Sequence, residues 1–426
     1  MPIEGEALVC TRCERRFPKF GGVWCLVREP EPWASAWSRR CDSYVELAQQ
    51  KLRELEGQLQ RPGLSPRTRR RMHRLSAGLA EQRDQLAQHF AALGRRTSTP
   101  AHSAIPLVLP SGNPPVLKCY ENLFRDWSWG AAEAAQSLEL VRRLAPAPLG
   151  KLAVYGAGAA RLAVDVHTAL VPERTVALDL NPFPLLVAAR LLQGEAVSLP
   201  EFPVGPHTDE DVVVGQTLRC TSDVGSRFCL AFADALRPPF APASLDTVLT
   251  SWVVDALDAS FVQTALSINH VLRAGGTWIN VGPLRFDGPL VEAFSIEEVL
   301  EITQARGFEL LKRETHVLDY FHSPHSGSRR AEAVFCFAAR KLVDVAEPVT
   351  EGVRAAWLLD PNQPVVLGER ASALRRNSIV TIGVLSLVDG RRSLMDIARA
   401  LGEQWRVPPE SLVEPLRELF AQLAPS

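Results

Sequence analysis

Three short features of this chain share one chemistry, the holding of a nucleoside. Gly156-Ala157-Gly158 lies between the apolar run KLAVY and a helix-like run that begins at Arg161. Glycine at such a place lets the backbone turn sharply and approach a ligand, while the helix N-terminus that follows favours a negative group. Asp179 ends the next apolar run, RTVALD. It comes about twenty residues on, where a carboxylate can accept two hydrogen bonds from ribose hydroxyls. Asp234 ends the run after that, FCLAFAD, and is placed to accept from an adenine amino group. Mere turn and strand-end residues would explain each feature singly. A dinucleotide-binding dehydrogenase would share the first two, but it gives no role to Asp234 or to the turn RAGGTWIN, and Ala160 stands where a further glycine is expected. The set favours S-adenosylmethionine as cofactor and methyl transfer as the reaction.

Two other clusters invite a metal. Cys10 and Cys13 form a CxxC that resembles one knuckle of a zinc ribbon, in which two thiolates on a tight turn share a metal. Zinc prefers four ligands and a second CxxC is missing; Cys25 and Cys41 are the remaining candidates, and neither lies in a second knuckle. A bound zinc and a degenerate ribbon without metal are the two readings. His316, His322 and His325 fall within HVLDYFHSPHSG, which reads as a proline-containing loop. Lining of a substrate site and simple solvation both outrank a metal there.

The elements that must position these residues follow from hydrophobic rhythm. Residues 1–33 form the small cysteine-bearing module. Residues 42–95 read as a helical hairpin, with Leu52, Leu55 and Leu59 on one arm, a break at RPGLSPR, and Leu75, Leu79, Leu86 and Phe90 on the other. Ser65-Pro66 is a cap followed by proline at the first helical position. The arginines at 67, 69, 70, 71 and 74 suit a solvated face better than a nucleic-acid patch. A proline-rich linker spans 96–117. From Gly150 strands alternate with helices, which predicts a mainly parallel sheet with right-handed crossovers. An irregular insertion falls near 194–226, and AEAVFCFAARK reads as a late strand at the sheet edge. The tail, 350–426, reads as a small winged-helix-like unit. The fold class is therefore α/β, a Rossmann-like domain over 115–342 with modules on either side.

Composition adds exclusions. With 426 residues, 46% hydrophobic, the chain can bury a full α/β core with small domains appended. A net charge of −1 gives no general reason to expect nucleic acid or an anionic membrane as partner. No apolar run reaches the roughly eighteen residues of a membrane span. The opening MPIEGEALVCTRC lacks a basic region followed by an apolar one, and the eight scattered cysteines do not form a disulfide framework. A reducing cytoplasm fits.

Three longer stretches are more specific. Asn122-Leu-Phe-Arg125-Asp-Trp127-Ser, Gly156-Ala-Gly158-Ala-Ala-Arg161-Leu162-Ala, and Ala274-Gly-Gly-Thr-Trp278-Ile-Asn280-Val-Gly282-Pro283-Leu284 together resemble the carnosine N-methyltransferase family. The resemblance covers about 115–340. It implies that Asn122 and Arg125 reach the methionine end of the cofactor, where the planar fork of arginine pairs with a carboxylate. It implies that Gly156 and Gly158 line the loop, Asp179 takes the ribose and Asp234 the adenine. Ser251 would stand beside the cofactor where the family usually has cysteine. Asp255 matches an acid that, in the family, binds the imidazole of the methyl acceptor. A carboxylate accepting the N–H of neutral imidazole fixes the tautomer, points the other nitrogen at the methyl group and stabilises the cation that forms. The segment with His322 would be a lid over the acceptor.

The tail resembles, more weakly, leader-peptide-binding chaperone domains through LSLVDGRRSLMDIARAL. That leaves three functions: an N-methyltransferase of an imidazole-like or amine acceptor, a tailoring methyltransferase of a ribosomal peptide delivered by the tail, and a non-catalytic nucleoside-binding scaffold. Retention of Arg125, both loop glycines and the three aspartates argues against the last. The departures concern the acceptor. The family places a histidine where this chain has Asp287, and a tyrosine cluster where it has Ser328-Arg329-Arg330-Ala331-Glu332. Carnosine is accordingly expected to be a poor acceptor. A methyl-transfer assay on carnosine should read little or no turnover, and robust turnover would show that these replacements do not set the selectivity.

Overall fold

In the computed structural model, residues 3–4, 7–11, 14–94, 115–257, 261–286, 292–345, 384, 387–405 and 408–421 are described. The N-terminal stretch makes four short strands, β1 (Ile3–Glu4), β2 (Ala7–Val9), β3 (Arg16–Phe20) and β4 (Val23–Cys25), each antiparallel to the next. Two helices follow, α1 (Pro30–Leu59) and α2 (Pro66–Phe90). The first begins at Pro30, well before the expected 42. Proline is tolerated in a first turn whose N–H groups lack helical partners, and Ala34, Trp37, Cys41, Tyr44 and Ala48 form a buried stripe at helical spacing. The second starts as its sequence suggests, with the Ser65 hydroxyl accepting from the Thr68 amide at 3.0 Å. Arginines on its first turns turn back onto the chain: Arg67 pairs with Asp209 at 2.7 Å and Arg69 donates to the Leu59 carbonyl at 2.6 Å.

The chain then runs through α3 (Tyr120–Phe124), a π-helical turn (Arg125–Trp129), α4 (Ala131–Leu144), β5 (Lys151–Tyr155), α5 (Arg161–Leu170), β6 (Arg174–Asp179) and α6 (Pro182–Leu192). A hairpin of β7 (Val197–Glu201) and β8 (Val214–Leu218) follows, then β9 (Phe228–Phe232), β10 (Leu245–Ser251), α7 (Phe261–Val271), β11 (Leu272–Gly282), α8 (Ile296–Ala305), β12 (Phe308–Tyr320) and β13 (Arg330–Lys341). The strands of the large sheet lie in the order β1-β2-β3-β4-β9-β6-β5-β10-β11-β13-β12, with β4 through β11 parallel. Strand β13 is antiparallel to both of its neighbours.

Three expectations change here. The stretch near 194–226 is not wholly irregular, because β7 and β8 pair along five residues each. Strand β13 is not at the edge: its run Val334 to Ala339 is buried throughout, as a strand covered on both faces must be. The edge is β12, whose exposed Lys312 and Arg313 and half-buried Glu309 and Glu314 hide the strand rhythm in its sequence and suit an unpaired rim. His316 therefore stands in a strand rather than a loop.

The cysteine stretch is joined to the large sheet. Trp24 and Cys25 of β4 pair with Ala231 and Phe232 of β9, the Leu26 amide donates to the Phe232 carbonyl at 2.9 Å, and Trp33 packs on the Phe232 ring at 5.0 Å. Cys25 and Cys41 are buried core thiols, both pushed up to about 12 by burial. Cys10 closes a tight turn by accepting from the Glu14 amide at 2.8 Å, and Cys13 lies outside the described residues. A separate unit at the C-terminus contains α9 (Leu394–Trp405) and α10 (Glu410–Ala421), packed through Leu401, Leu412 and Leu416 among others. The helix expected just before it lies mostly outside the described residues.

One face of the sheet buries Leu152, Val154, Ala177, Ile279 and Val281 in a core shared with α4, α5 and α6 and reaching the helical hairpin. On the other, Trp278 packs on Phe261 of α7 at 5.7 Å. The hairpin reaches the carboxyl end of the sheet through Phe183 of α6, which is fully buried. Its ring stacks on Phe90 of α2 at 6.1 Å and on Tyr120 of α3 at 5.8 Å. Phe183→Ala should destabilise the fold by about 3–5 kcal/mol, the usual cost of emptying a large aromatic site. Urea denaturation reads this directly; a loss below about 1 kcal/mol would show that the three helices do not depend on that ring.

Candidate active site

The carboxyl ends of β5, β6, β9 and β10 bring the expected nucleoside residues together. At Gly156 the backbone is left-handed, with φ +65°, and a β-carbon there would stand 2.4 Å from the side chain of Val253. At Gly158, φ is +54° and a β-carbon would meet nothing within 4 Å, so this loop is open on its outer side. Ala160 is left-handed too, with φ 63°, at the N-cap of α5. Alanine in that conformation costs roughly 1–2 kcal/mol, which the loop bears without the third glycine expected of a dinucleotide site.

Asp179 organises this loop. Its Oδ2 accepts from the Gly158 amide at 2.8 Å and its Oδ1 from the Asn181 amide at 2.8 Å. Burial pushes the carboxyl pKa up, while these two amides pull the other way. The Asp179 carbonyl accepts from the Ala233 amide at 3.0 Å, so the chain reaches Asp234 directly beside the end of β6. Asp234 is half-buried and caps its own turn by accepting from the Leu236 amide at 2.9 Å. Ser251, also half-buried, ends β10, at the same end of the sheet.

Asn122 lies in α3 and Arg125 opens the π-helical turn. The turn is fastened to the glycine loop twice: the Trp127 indole donates to the Ala159 carbonyl at 2.9 Å, and Arg161 donates to the Asp126 carbonyl at 2.7 Å. Arg125 gives Nε and Nη2 to the Asp126 carboxylate at 2.8 and 2.7 Å. Its guanidinium lies over the rings of Tyr320 and Phe321, 5.1 and 5.5 Å from their centroids. Burial opposes the charge of Arg125, but Asp126, Tyr320 and Glu133 outweigh it and hold the guanidinium firmly protonated.

The residues expected on the acceptor side are only partly brought together. Asp255 stands in a 3₁₀ turn (Val254–Ala256) past the end of β10 and accepts the Arg285 amide at 3.0 Å on Oδ2. This differs from a strand-end cap: the carboxylate ties the loop after β11 to the loop after β10. Asp287 lies outside the described residues. The three histidines do not converge. His316 is 2.8 Å from Glu314, His325 is 2.8 Å from Asp211, and His322 Nε2 lies 3.1 Å from the Arg330 carbonyl oxygen. Among the described residues no group of three potential metal ligands occurs.

What the sequence reading missed is an aromatic wall. Trp252, next to Ser251, is left-handed with φ 53° and stacks on Tyr320 at 4.3 Å with the planes 16° apart. Phe321, also left-handed, meets Tyr320 edge-on at 4.4 Å. Arg330 lies over both rings, 4.6 and 5.3 Å from their centroids. The Phe321 and His322 amides donate to Glu133, and the Ser323 hydroxyl donates to the buried Glu201 at 2.7 Å. Glu201 in turn accepts from Trp129 and Gln216, which joins this wall to the turn that carries Arg125. The only signal available in sequence was the aromatic pair Tyr320-Phe321 at the end of a charged run.

Gly130 is the hinge of the Arg125 turn. A β-carbon there would fall 2.2 Å from the Arg125 carbonyl oxygen and 2.7 Å from its Cγ. Gly130→Ala should therefore displace Arg125 and weaken binding of S-adenosylhomocysteine by about ten-fold or more, the worth of one charge-assisted hydrogen bond. Calorimetry checks this, alongside a denaturation curve to separate it from unfolding. Unchanged affinity would show that Arg125 is not held by this turn.

The model of the carnosine N-methyltransferase family matches residues 211–340, which hold β8 to β13 with Asp234, Ser251 and Asp255. No curated protein matches the chain. Among solved structures, a putative methyltransferase from Bacillus halodurans is 13% identical over 49% of this chain and 100% of its own, with a TM-score of 0.34. Phosphoethanolamine N-methyltransferase 2 of Haemonchus contortus, in complex with phosphomonomethylethanolamine and S-adenosylhomocysteine, is 15% identical over 53% of this chain and 57% of its own, with a TM-score of 0.35. The Haloferax volcanii complex of the Trm112 methyltransferase activator with a putative methyltransferase gives 12% identity over 55% of this chain and 100% of the matched chain, with a TM-score of 0.37. Over residues 211–340 the chain is thus similar to the carnosine N-methyltransferase family.

Proposed function

We propose that this protein methylates a nitrogen of an imidazole-like or amine acceptor, carried by a small molecule or a peptide. The observation that carries the reading is the placement of Asp255 on a loop directly after the strand that ends in Ser251. It brings a carboxylate to the cofactor end of the sheet on the side of the aromatic wall.

The residues present suit the cofactor. The open side of Gly158 leaves room for a ligand against the backbone. A carboxylate offers about four lone-pair positions, so Asp179 can serve two amides and still accept from ribose hydroxyls. Asp234 does the same for the adenine amino group. Arg125 uses Nε and Nη2 on Asp126, and its Nη1 faces the role of binding the methionine carboxylate, with Asn122 beside it. Bound S-adenosylmethionine supplies the methyl group on a sulfonium sulfur.

The chain's own part is orientation and charge. Asp255 accepts the N–H of a neutral imidazole, fixes its tautomer, and so directs the other nitrogen's lone pair away from itself. As that nitrogen takes the methyl group the ring becomes a cation, and the fixed carboxylate stabilises it without having to reorganise. Trp252, held by its stack on Tyr320, gives a flat apolar surface suited to a ring, and its electron-rich face favours the cationic product. His322 contributes by holding the Arg330 backbone, and Asp287 remains an acceptor-side residue of this reading.

Asp255→Asn tests the assignment. The amide oxygen can still accept from the Arg285 N–H, so the loop stays in place while the charge is lost. Cofactor affinity should remain nearly unchanged and single-turnover methyl transfer to an imidazole acceptor should slow by about 2–4 kcal/mol in barrier. Asp179→Ala should do the reverse, weakening cofactor binding by about 1 kcal/mol for each ribose bond removed. Transfer at the wild-type rate by the Asp255 variant would reduce that residue to a loop latch, and loss of cofactor binding would make its role structural.

A further inference from the structure

Glu201 is a buried acid that the proposed chemistry does not use. It ends β7, is 5% exposed, and receives donors from three separate segments. The Trp129 indole reaches its Oε1 at 3.3 Å, the Ser323 hydroxyl the same oxygen at 2.7 Å, and the Gln216 amide its Oε2 at 2.6 Å. Gln216 extends the grip, since its own oxygen accepts from the Ser128 hydroxyl at 2.7 Å. Ser128 and Trp129 belong to the π-helical turn that opens with Arg125, and Ser323 follows the wall residues Tyr320 and Phe321. One acid therefore spans the Arg125 turn and the aromatic wall.

The choice of an acid has a physical reason. Burying a carboxylate is costly, so it suits a place where fixed donors converge. A glutamine would turn its own NH₂ toward the donating Gln216, and an apolar side chain would leave three donors unpaired. Three directed bonds on one group also set the relative position of three segments at once.

The two sides of this link are held differently. The turn has two further fastenings on the glycine loop, from Trp127 to the Ala159 carbonyl and from Arg161 to the Asp126 carbonyl. The wall's loop is held at the Phe321 and His322 amides by Glu133, and farther on by the same hairpin that carries Glu201. There the Ser326 hydroxyl donates to the Val204 carbonyl at 2.7 Å and the Gly327 amide to the Gly205 carbonyl at 2.9 Å. A β-carbon at Gly327 would stand 2.7 Å from that Gly205 oxygen. The Ser323 bond lies between these holds and ties the loop to the acid that also grips the turn. Losing Glu201 leaves Arg125 fastened and lets the wall drift.

We infer that Glu201 is a positioning residue for methyl transfer, setting the distance between the methyl donor at the Arg125 turn and the acceptor against the Trp252–Tyr320 stack. The inference rests on the N-methyltransferase reading above. Transfer needs the reacting atoms about 3–3.5 Å apart, and a misplacement of about 1 Å can cost about a hundred-fold in rate.

The test uses the full-length protein, labelled at tryptophan with a heavy nitrogen isotope and saturated with S-adenosylhomocysteine. The indole N–H resonance of Trp252 feels the ring of Tyr320, stacked 4.3 Å away, and is identified from Trp252→Phe. Glu201→Ala and the milder Ser323→Ala should both shift it. Glu201→Gln should bring it partly back, because the amide oxygen still accepts from Ser323 and Trp129. In parallel, single-turnover transfer to histamine, a probe with both an imidazole and an amine, should slow about ten-fold or more in Glu201→Ala. Affinity for S-adenosylhomocysteine should stay nearly unchanged. A Trp252 resonance unmoved by both variants, a wild-type transfer rate in Glu201→Ala, or a loss of cofactor affinity as large as the loss of rate would each overturn the inference. Should Glu201→Ala not fold, Ser323→Ala carries the same comparison. If the wild type leaves histamine unmethylated, the N-methyltransferase reading loses that acceptor, while the Trp252 resonance still decides the role of Glu201.

Discussion

The carboxylate of Asp179 is the constraint on which the cofactor end of this protein depends. It receives the Gly158 amide on one oxygen and the Asn181 amide on the other. Asn181 passes the constraint on, since its side chain caps α6 at the Phe183 amide and donates to the Lys118 carbonyl just before α3. A glycine loop, a strand end, a helix start and the approach to the Arg125 turn are thus referred to one acid. Two amide donors to a charged acceptor are worth more than two neutral hydrogen bonds, and they lie where the backbone would otherwise leave N–H groups unsatisfied. The same placement explains why its burial is tolerable: the group is surrounded by fixed donors rather than by apolar atoms alone.

The acceptor side follows a different logic. Its residues lie on loops and on the antiparallel end of the sheet, at positions 252–255, 285, 320–321 and 330–332, and they meet because β12 and β13 fold back beside β11. Two of them, Trp252 and Phe321, hold left-handed backbones that cost a bulky side chain roughly 1–3 kcal/mol each. The strain is borne by aromatic packing, with stacks of about 0.5–1.5 kcal/mol beyond simple burial, and by the amides of 321 and 322 on Glu133. Strain of this kind persists where surrounding structure over-determines the conformation. Here it aims two rings at the same place.

The parts outside the central strands are structural extensions of it. Strand β4 continues the sheet past β9, and α2 reaches across α6 to α3 through the stacked rings of Phe90, Phe183 and Tyr120. The hairpin β7–β8 supplies Glu201 and Gln216, whose hydrogen bonds to Ser323 and Ser128 connect the acceptor wall to the π-helical turn. An acid buried among three neutral donors is costly unless every donor is well placed. The arrangement makes the relative position of cofactor turn and acceptor wall a matter of hydrogen-bond geometry, not of flexible loop contact.

By itself the sequence determined the α/β rhythm, the glycine loop and the acids at 179 and 234, because these depend on local pattern: apolar runs of strand length, glycine where φ must be positive, and a charged residue where a strand meets solvent; Asp255 is singled out only by the family resemblance. The parallel direction of β9, β6, β5, β10 and β11 follows from that pattern, while their order is set by the tertiary structure. It could not reveal β12, since an edge strand exposes much of its surface and its charged residues break the alternation on which strand reading relies. Nor could it separate the histidines, whose shared segment divides between a strand and the loop beyond it. The stacking of Trp252 on Tyr320, the pairing of Arg285 with Glu332, and the coupling of Glu201 to Trp129 and Ser323 join residues tens to more than a hundred positions apart. Only tertiary structure decides such contacts, because they are set by how sheet and loops pack in space and leave no period in the chain.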